Sequence, residues 1–353
     1  MKYFEKFTSA TVAGSGNQHV FYPEEGAHTG RVYYKLAVTC ETDVSILFSN
    51  IVDSTYADGA ASHANLVCDS WRILSARVGT AKNVADENLD MTSLFFDGQT
   101  EKEVMPGEIF PSDPVRLKLA KGEYLCLEVT FSGRMIPYHE ESLLPAFALE
   151  DGKWTESKKM PFASMVGCAR PVKGKIAYLG DSITQGIGPA PNSYEHWTAL
   201  IADMIGDEYS HWNLGLGFGR ASDAASDSAW LFKAKQCDTV FVCFGVNDIL
   251  QGHGEEKIKK DITRIVEILK NAGKRVILQT VPPFDYRGGD IEKWENINRY
   301  IRTELSEKAD LLFDNVPVLC GDEPHRARYG GHPNAEGGKV WAKALYAAVK
   351  ELF

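Results

Sequence analysis

Before residue 170 the apolar positions repeat with a period of two. Val32, Tyr34, Leu36, Val38 and Cys40 alternate with Tyr33, Lys35, Ala37 and Thr39. Val115, Leu117 and Leu119 alternate with Arg116 and Lys118, and Leu125, Leu127, Val129 and Phe131 resume the pattern beyond Lys121-Gly122. Alternation of this kind predicts strands with one face on a core. Asp97-Gly98, Pro106-Gly107 and Ser132-Gly133 supply turns between them. Long stretches of helical period are scarce, so residues 1–173 read as an all-β sandwich or jelly roll.

Beyond the short polar hinge Pro171-Val172-Lys173-Gly174 the period changes. Short apolar runs at 176–179 (IAYL), 212–214, 239–244 (TVFVCF), 275–281 (RVILQTV) and 311–313 (LLF) predict five strands. Amphipathic helices fall between and after them. One carries Ile258, Ile262, Ile265, Val266 and Leu269, and the next Ile297, Ile301 and Leu305. The last carries Val340, Trp341, Ala344, Leu345, Ala348 and Val349. Strand–helix alternation implies parallel strands joined by right-handed crossovers. Residues 174–353 therefore read as an α/β domain with a doubly wound, five-stranded parallel sheet.

Charge narrows the partners. The 353 residues hold 38 basic and 48 acidic side chains, a formal charge of −10. That balance disfavours a nucleic-acid partner, whose phosphates demand clustered Lys and Arg, and an anionic membrane surface. No apolar run approaches the roughly 20 residues of a membrane helix, and MKYFEKFTSA has charges where a signal peptide needs apolar residues. The seven cysteines are odd in number, form no C-x-x-C and sit mostly in strand-like runs. They read as buried thiols in a reducing, cytoplasmic setting. The sequence leaves the oligomeric state open.

Ligands of an open parallel sheet bind beyond the carboxyl ends of its strands. Four segments leave those ends: Gly180-Asp181-Ser182-Ile183-Thr184, Asn213-Leu214-Gly215-Leu216-Gly217-Phe218-Gly219-Arg220, Gly245-Val246-Asn247-Asp248, and, before the last helix, Gly331-His332-Pro333-Asn334. Together they offer a hydroxyl, a run of backbone amides, a carboxamide and an imidazole, which is the set acyl transfer needs. A serine becomes a nucleophile when a base takes its proton, and histidine titrates where such a base must. The oxyanion of the tetrahedral intermediate needs preorganised N–H donors. Ser182 is the candidate nucleophile, His332 the base, and Asn247 with the amide of Gly217 the oxyanion hole. No H-E-x-x-H or paired Cys/His cluster calls for a metal, no cofactor is required, and no G-x-S-x-G elbow surrounds a serine.

In this order and on these strand ends the four blocks resemble the SGNH, or GDSL-type, esterases and lipases. The resemblance covers roughly residues 174–353. The first half is similar, through Ser112-Asp113-Pro114-Val115 and the following hairpin, to the β-sandwich ahead of the catalytic domain in some multidomain members. The likeness implies a flavodoxin-like hydrolase fold and a serine esterase acting through an acyl-Ser182 intermediate on a small-molecule ester, with acetyl as the first acyl group and an acetylated saccharide as the first substrate. Lipid esters and thioesters are alternatives, as is a hydrolase half that has lost activity and serves carbohydrate binding or structure. Two positions depart from the family pattern. Three residues before the histidine the family usually has aspartate, and here stands Tyr329. Either Ser182 and His332 work as a dyad oriented by a backbone carbonyl, or Asp322 or Glu323 orients the ring. An ungapped count from Asn213 puts the family's oxyanion glycine on Phe218, so the donor is Gly217, Phe218 or Gly219.

Each of these residues also has a plain structural reading. Ser182 suits a helix N-cap, as does Asn334. Asn247-Asp248 suits a turn. Glycines 215, 217 and 219 imitate a dinucleotide fingerprint, but the third comes one residue early, on the second strand rather than the first. Arg220 reads as a surface ion-pair residue, and Trp197 and Phe244 as core.

Overall fold

The computed structural model describes residues 2–353 except 15, 55, 58–60, 63, 85, 87 and 88. The chain divides into two compact units, Met1–Val172 with Ser210–Trp212, and Lys173–Tyr209 with Asn213–Phe353.

The first unit is built of antiparallel sheets. One runs through Thr8–Ser9, Met165–Cys168, Cys40–Ser49 and Ile109–Pro111, and Val115–Leu119 also pairs with Cys40–Ser49. The other runs Thr92–Ser93, Trp71–Ala81, Tyr124–Gly133, His28–Lys35, Ala146–Glu150, Lys153–Glu156. Val115–Leu119 keeps the expected alternation, with Arg116 and Lys118 exposed and Leu119 buried. The alternation read across residues 32–40 belongs to two elements, because one strand ends at Lys35 and the next starts at Cys40.

Inside the larger sheet the period of two is overridden, and residues 31–34 are buried on both faces. His28–Lys35 is a central strand, paired with Tyr124–Gly133 and Ala146–Glu150, and its second face is covered by polar chemistry. The Arg31 guanidinium donates to Glu128 Oε2 at 2.8 Å and lies 4.2 Å from the centre of the Trp154 ring, while Arg77 pairs with the other Glu128 oxygen. A buried carboxylate is tolerated when such donors surround it.

We number the elements of the parallel sheet and the helices that position the site. The strands are β1 (Lys175–Gly180), β2 (Ser210–Gly215), β3 (Thr239–Cys243), β4 (Arg275–Gln279) and β5 (Leu311–Phe313). Their order is 2-1-3-4-5, with β1–β3, β3–β4 and β4–β5 parallel. This is the doubly wound order in which the chain reverses direction across the sheet beside β1. The helices are α1 (Ser182–Gln185), α2 (Trp197–Ile205), α3 (Val246–Leu250), α4 (Glu255–Asn271), α5 (Gly289–Thr303) and α6 (Ala335–Val349). The apolar stripe of α4, from Ile258 to Leu269, is buried as its period predicts. Trp197 of α2 stacks on Trp341 of α6, centroids 4.9 Å apart, and Phe244 is equally buried. Among the described residues no helix is long and apolar enough to cross a membrane. All seven cysteines are free thiols.

Removing one partner of a buried ion pair strands the other charge in a poor solvent. Glu128→Ala should therefore destabilise the first unit by about 3 kcal/mol, read from the shift of its urea unfolding transition. A change below about 0.5 kcal/mol, the scale of an ordinary surface substitution, would contradict this reading of the cluster.

Candidate active site

A single residue, Asp181, separates β1 from α1. A side chain at Gly180 would collide with Thr184 Oγ1 and the Cys243 carbonyl, so the close approach of these groups needs glycine. The cap of α1 is Asp181, whose carboxylate accepts the Ile183 N–H at 3.0 Å. Capping thus falls to Asp181, and the neighbouring hydroxyl is left for other use. Ser182 Oγ lies 2.8 Å from His332 Nε2, across 150 residues of sequence. Ser182 is 8% exposed, and its backbone N–H, at the first helical position, has no acceptor among the described residues. Burial pushes the Asp181 carboxyl up to about 7, with the charge of Asp248 adding to the shift and its backbone N–H partners opposing it.

The glycine segment is tied down from both sides. Asn213 donates through Nδ2 to the carbonyls of Thr184 and Gln185. The Gln185 side-chain carbonyl in turn accepts the Gly217 N–H at 2.6 Å. The Gly217 amide, read from the sequence as an oxyanion donor, is thus directed to Gln185, which closes the turn that Ser182 opens. The Gly219 N–H is likewise directed to the Leu216 carbonyl at 3.0 Å. Phe218 between them is left-handed, φ 59°. Asn247 Nδ2 donates to the Gly219 carbonyl at 3.0 Å, and the neighbouring Asp248 accepts the Ala221 N–H at 2.9 Å and His253 Nδ1 at 3.2 Å. Arg220, expected at the surface, forms a largely enclosed two-pronged pair with Asp223 and also donates to Gln251.

His332 sits just outside α6. Asn334 caps that helix by accepting the Gly337 N–H at 3.0 Å, and its own N–H returns to the Tyr329 carbonyl. Among the described residues neither acid proposed to orient the ring bonds it. Asp322 is exposed, and Glu323 pairs with His325 and Arg326. Among the described residues neither a carboxylate nor a carbonyl bonds His332 Nδ1. Burial alone holds the His332 pKa below its ordinary value. The neighbour sequence reasoning missed is Phe284, in the loop after β4, whose ring meets the imidazole nearly edge-on, centroids 5.3 Å apart and planes at 81°. Only the two prolines before it marked that loop as rigid. Among the described residues no group of three or more His, Cys, Asp or Glu is placed to hold a metal ion.

Residues 178–340 match the model of the GDSL-like Lipase/Acylhydrolase family. The second unit carries a GDSL-type hydrolase domain. By that match the domain belongs with the carboxylic ester hydrolases. No curated protein sequence matches the chain. Solved structures similar to it include a family two carbohydrate esterase from Clostridium thermocellum in complex with cellohexaose, at 15% identity and a TM-score of 0.44 over 97% of this chain and 94% of that one. Est24, a carbohydrate acetylesterase from Sinorhizobium meliloti, is similar at 21% identity and a TM-score of 0.43, over 51% of this chain and 100% of its own. The psychrotrophic esterase EstA from Pseudoalteromonas sp. is 18% identical with a TM-score of 0.40, over 50% of this chain and 97% of its own. The GDSL domain thus contains all the residues described above.

Two histidines of this domain should titrate low. His332 is expected to lose its proton below pH 6.5, and His196, buried at the start of α2, near pH 4. Because the folded state resists protonating His196, its contribution to stability is complete above pH 6.5 and is lost as pH falls toward 4. Imidazole NMR titration checks both, and a His332 midpoint above 7 would contradict the burial of its ring.

Proposed function

We propose that this GDSL domain is a serine esterase that works through an acyl-Ser182 intermediate. The observation that carries the reading is the 2.8 Å approach of Ser182 Oγ to His332 Nε2, within the range for a nucleophile and its base. Nε2 accepts the hydroxyl proton as Oγ attacks the ester carbonyl. The resulting oxyanion is met by the Ser182 N–H at the helix terminus and by the Asn247 N–H not directed to Gly219. His332 then passes the proton to the leaving alcohol, and a water activated by the same ring releases the acid.

A hydroxyl this enclosed admits a small acyl group more readily than a long chain, so acetyl esters come first, with an acetylated saccharide as the alcohol to test. No metal or cofactor enters these steps. Without a carboxylate at Nδ1, the imidazolium formed during attack lacks the partner that a triad provides. The pair therefore works as a dyad, and Asp322 and Glu323 have no part in it. The same missing acid is what favours the second reading, a hydrolase half without activity.

Hydrolysis of 4-nitrophenyl acetate separates the two. Ser182→Ala should abolish the rate, Asn247→Ala should lower kcat about 10²–10³-fold, and Asp322→Asn and Glu323→Gln should leave it unchanged. Equal rates for wild type and Ser182→Ala would reject the esterase reading. Parallel assays with butanoate, octanoate and acetylated xylose rank acyl length and alcohol.

A further inference from the structure

We infer that Phe284 is the positioning residue of His332, orienting by packing the ring that the family's usual aspartate orients by charge. The inference rests on His332 being the base proposed above. An imidazole fixed at one nitrogen still turns about that bond, and a hydrogen bond at the other nitrogen normally stops it. Here no described residue bonds Nδ1. The ring instead meets Phe284 edge-to-face, at 5.3 Å and 81°, a favoured aromatic geometry.

The loop bearing Phe284 is built to keep it there. Asn298 clamps Val281 twice, accepting its N–H at 2.8 Å and donating to its carbonyl at 3.0 Å, and Trp294 Nε1 donates to the same carbonyl at 2.9 Å. Pro282 and Pro283 are buried, and the Tyr286 hydroxyl donates to the Pro282 carbonyl at 3.2 Å. On the far side, Asp285 donates its N–H to the His325 carbonyl at 3.1 Å and accepts the Ala327 N–H at 3.0 Å. The loop is thereby joined to the segment that leads into His332. The backbone beside the imidazole also lies against the phenyl ring, since a side chain at Gly331 would meet Phe284 carbons at 2.9–3.1 Å. A Cβ there would have to push the ring aside.

An apolar partner has a different consequence from a carboxylate. It fixes the ring and excludes water from one face without stabilising the imidazolium, in keeping with burial as the cause of the lowered His332 pKa. Phe284 therefore supports kcat through orientation, and removing it should also let the acid limb of the rate profile rise.

The test compares wild type, Phe284→Ala, Phe284→Leu, Phe284→Tyr and Ser182→Ala on 4-nitrophenyl acetate across pH, with His332 followed by NMR and folding by urea unfolding. Phe284→Ala should lower kcat about 10–100-fold, the scale of a misplaced catalytic group, with KM little changed and the His332 midpoint moved up toward 6.5. Phe284→Tyr should restore both, and Phe284→Leu should keep the low midpoint with reduced kcat. An alanine variant with wild-type kcat and midpoint overturns the proposal, as does a change in KM alone, which would make Phe284 a substrate contact. A lowered kcat with an unmoved midpoint, or one that tyrosine does not restore, overturns it too. If the alanine variant does not fold, the leucine variant decides, and wild-type kcat there overturns it. If Ser182→Ala turns over like wild type, the esterase reading fails, and the proposal stands or falls on whether Phe284→Ala shifts the His332 midpoint.

Discussion

One hydrogen bond, from a serine at the end of β1 to an imidazole just before α6, organises the candidate site. Its two ends are 150 residues apart, so it exists only because the parallel sheet delivers both chain segments to the carboxyl side of its strands. The order 2-1-3-4-5 places β1 beside the point where the winding reverses, and the chain leaving it there is free to face the loops after β2 and β3. Glycine at 180 makes the turn tight enough, and Asp181 takes over the helix cap that would otherwise occupy the Ser182 hydroxyl. The geometry thus separates two jobs that neighbouring polar residues compete for, satisfying the backbone and presenting a nucleophile.

The surrounding loops hold one another through backbone-directed side chains. Asn213, Gln185, Asn247 and Asp248 each bond a main-chain group of a different segment. Such bonds fix loop against loop without a metal and leave few degrees of freedom at the site. They also redistribute the amides, since those of Gly217 and Gly219 serve the loop itself and the oxyanion role passes to Ser182 and Asn247 in the mechanism proposed here. Arg220 and Asp223 brace the start of the next short helix from the same segment.

Much of this was legible in the sequence, for identifiable reasons. Most strands of the sheet are short apolar runs and the helices bearing Ile258, Ile297 and Trp341 have a clear 3.6 period, so these could be read to within a few residues, whereas the mixed strand Ser210–Gly215 was marked only by Trp212 and Leu214. The four chemical blocks follow because each leaves a strand end or enters a helix. What could not be read depends on contacts between distant residues. Nothing local shows that Gln185 captures the Gly217 amide, or that Phe284 lies against His332. In the first unit the alternation near Val32 misled, because Arg31, Glu128 and Trp154 cover the second face of a central strand, and polar residues that pair with one another look like a solvent face in one dimension. The substitution of tyrosine at 329 for the usual acid was visible, and in the structure no described residue bonds His332 Nδ1, while Phe284 lies edge-on to the ring and burial lowers its pKa.

The chemistry turns on Ser182 being a nucleophile activated by His332. Incubation with a serine-directed phosphonate ester followed by peptide mass mapping tests this most directly. One adduct is expected, on Ser182, formed far more slowly when His332 is replaced by alanine. A protein left unlabelled, an adduct on another residue, or labelling of Ser182 at the same speed without the imidazole would contradict it.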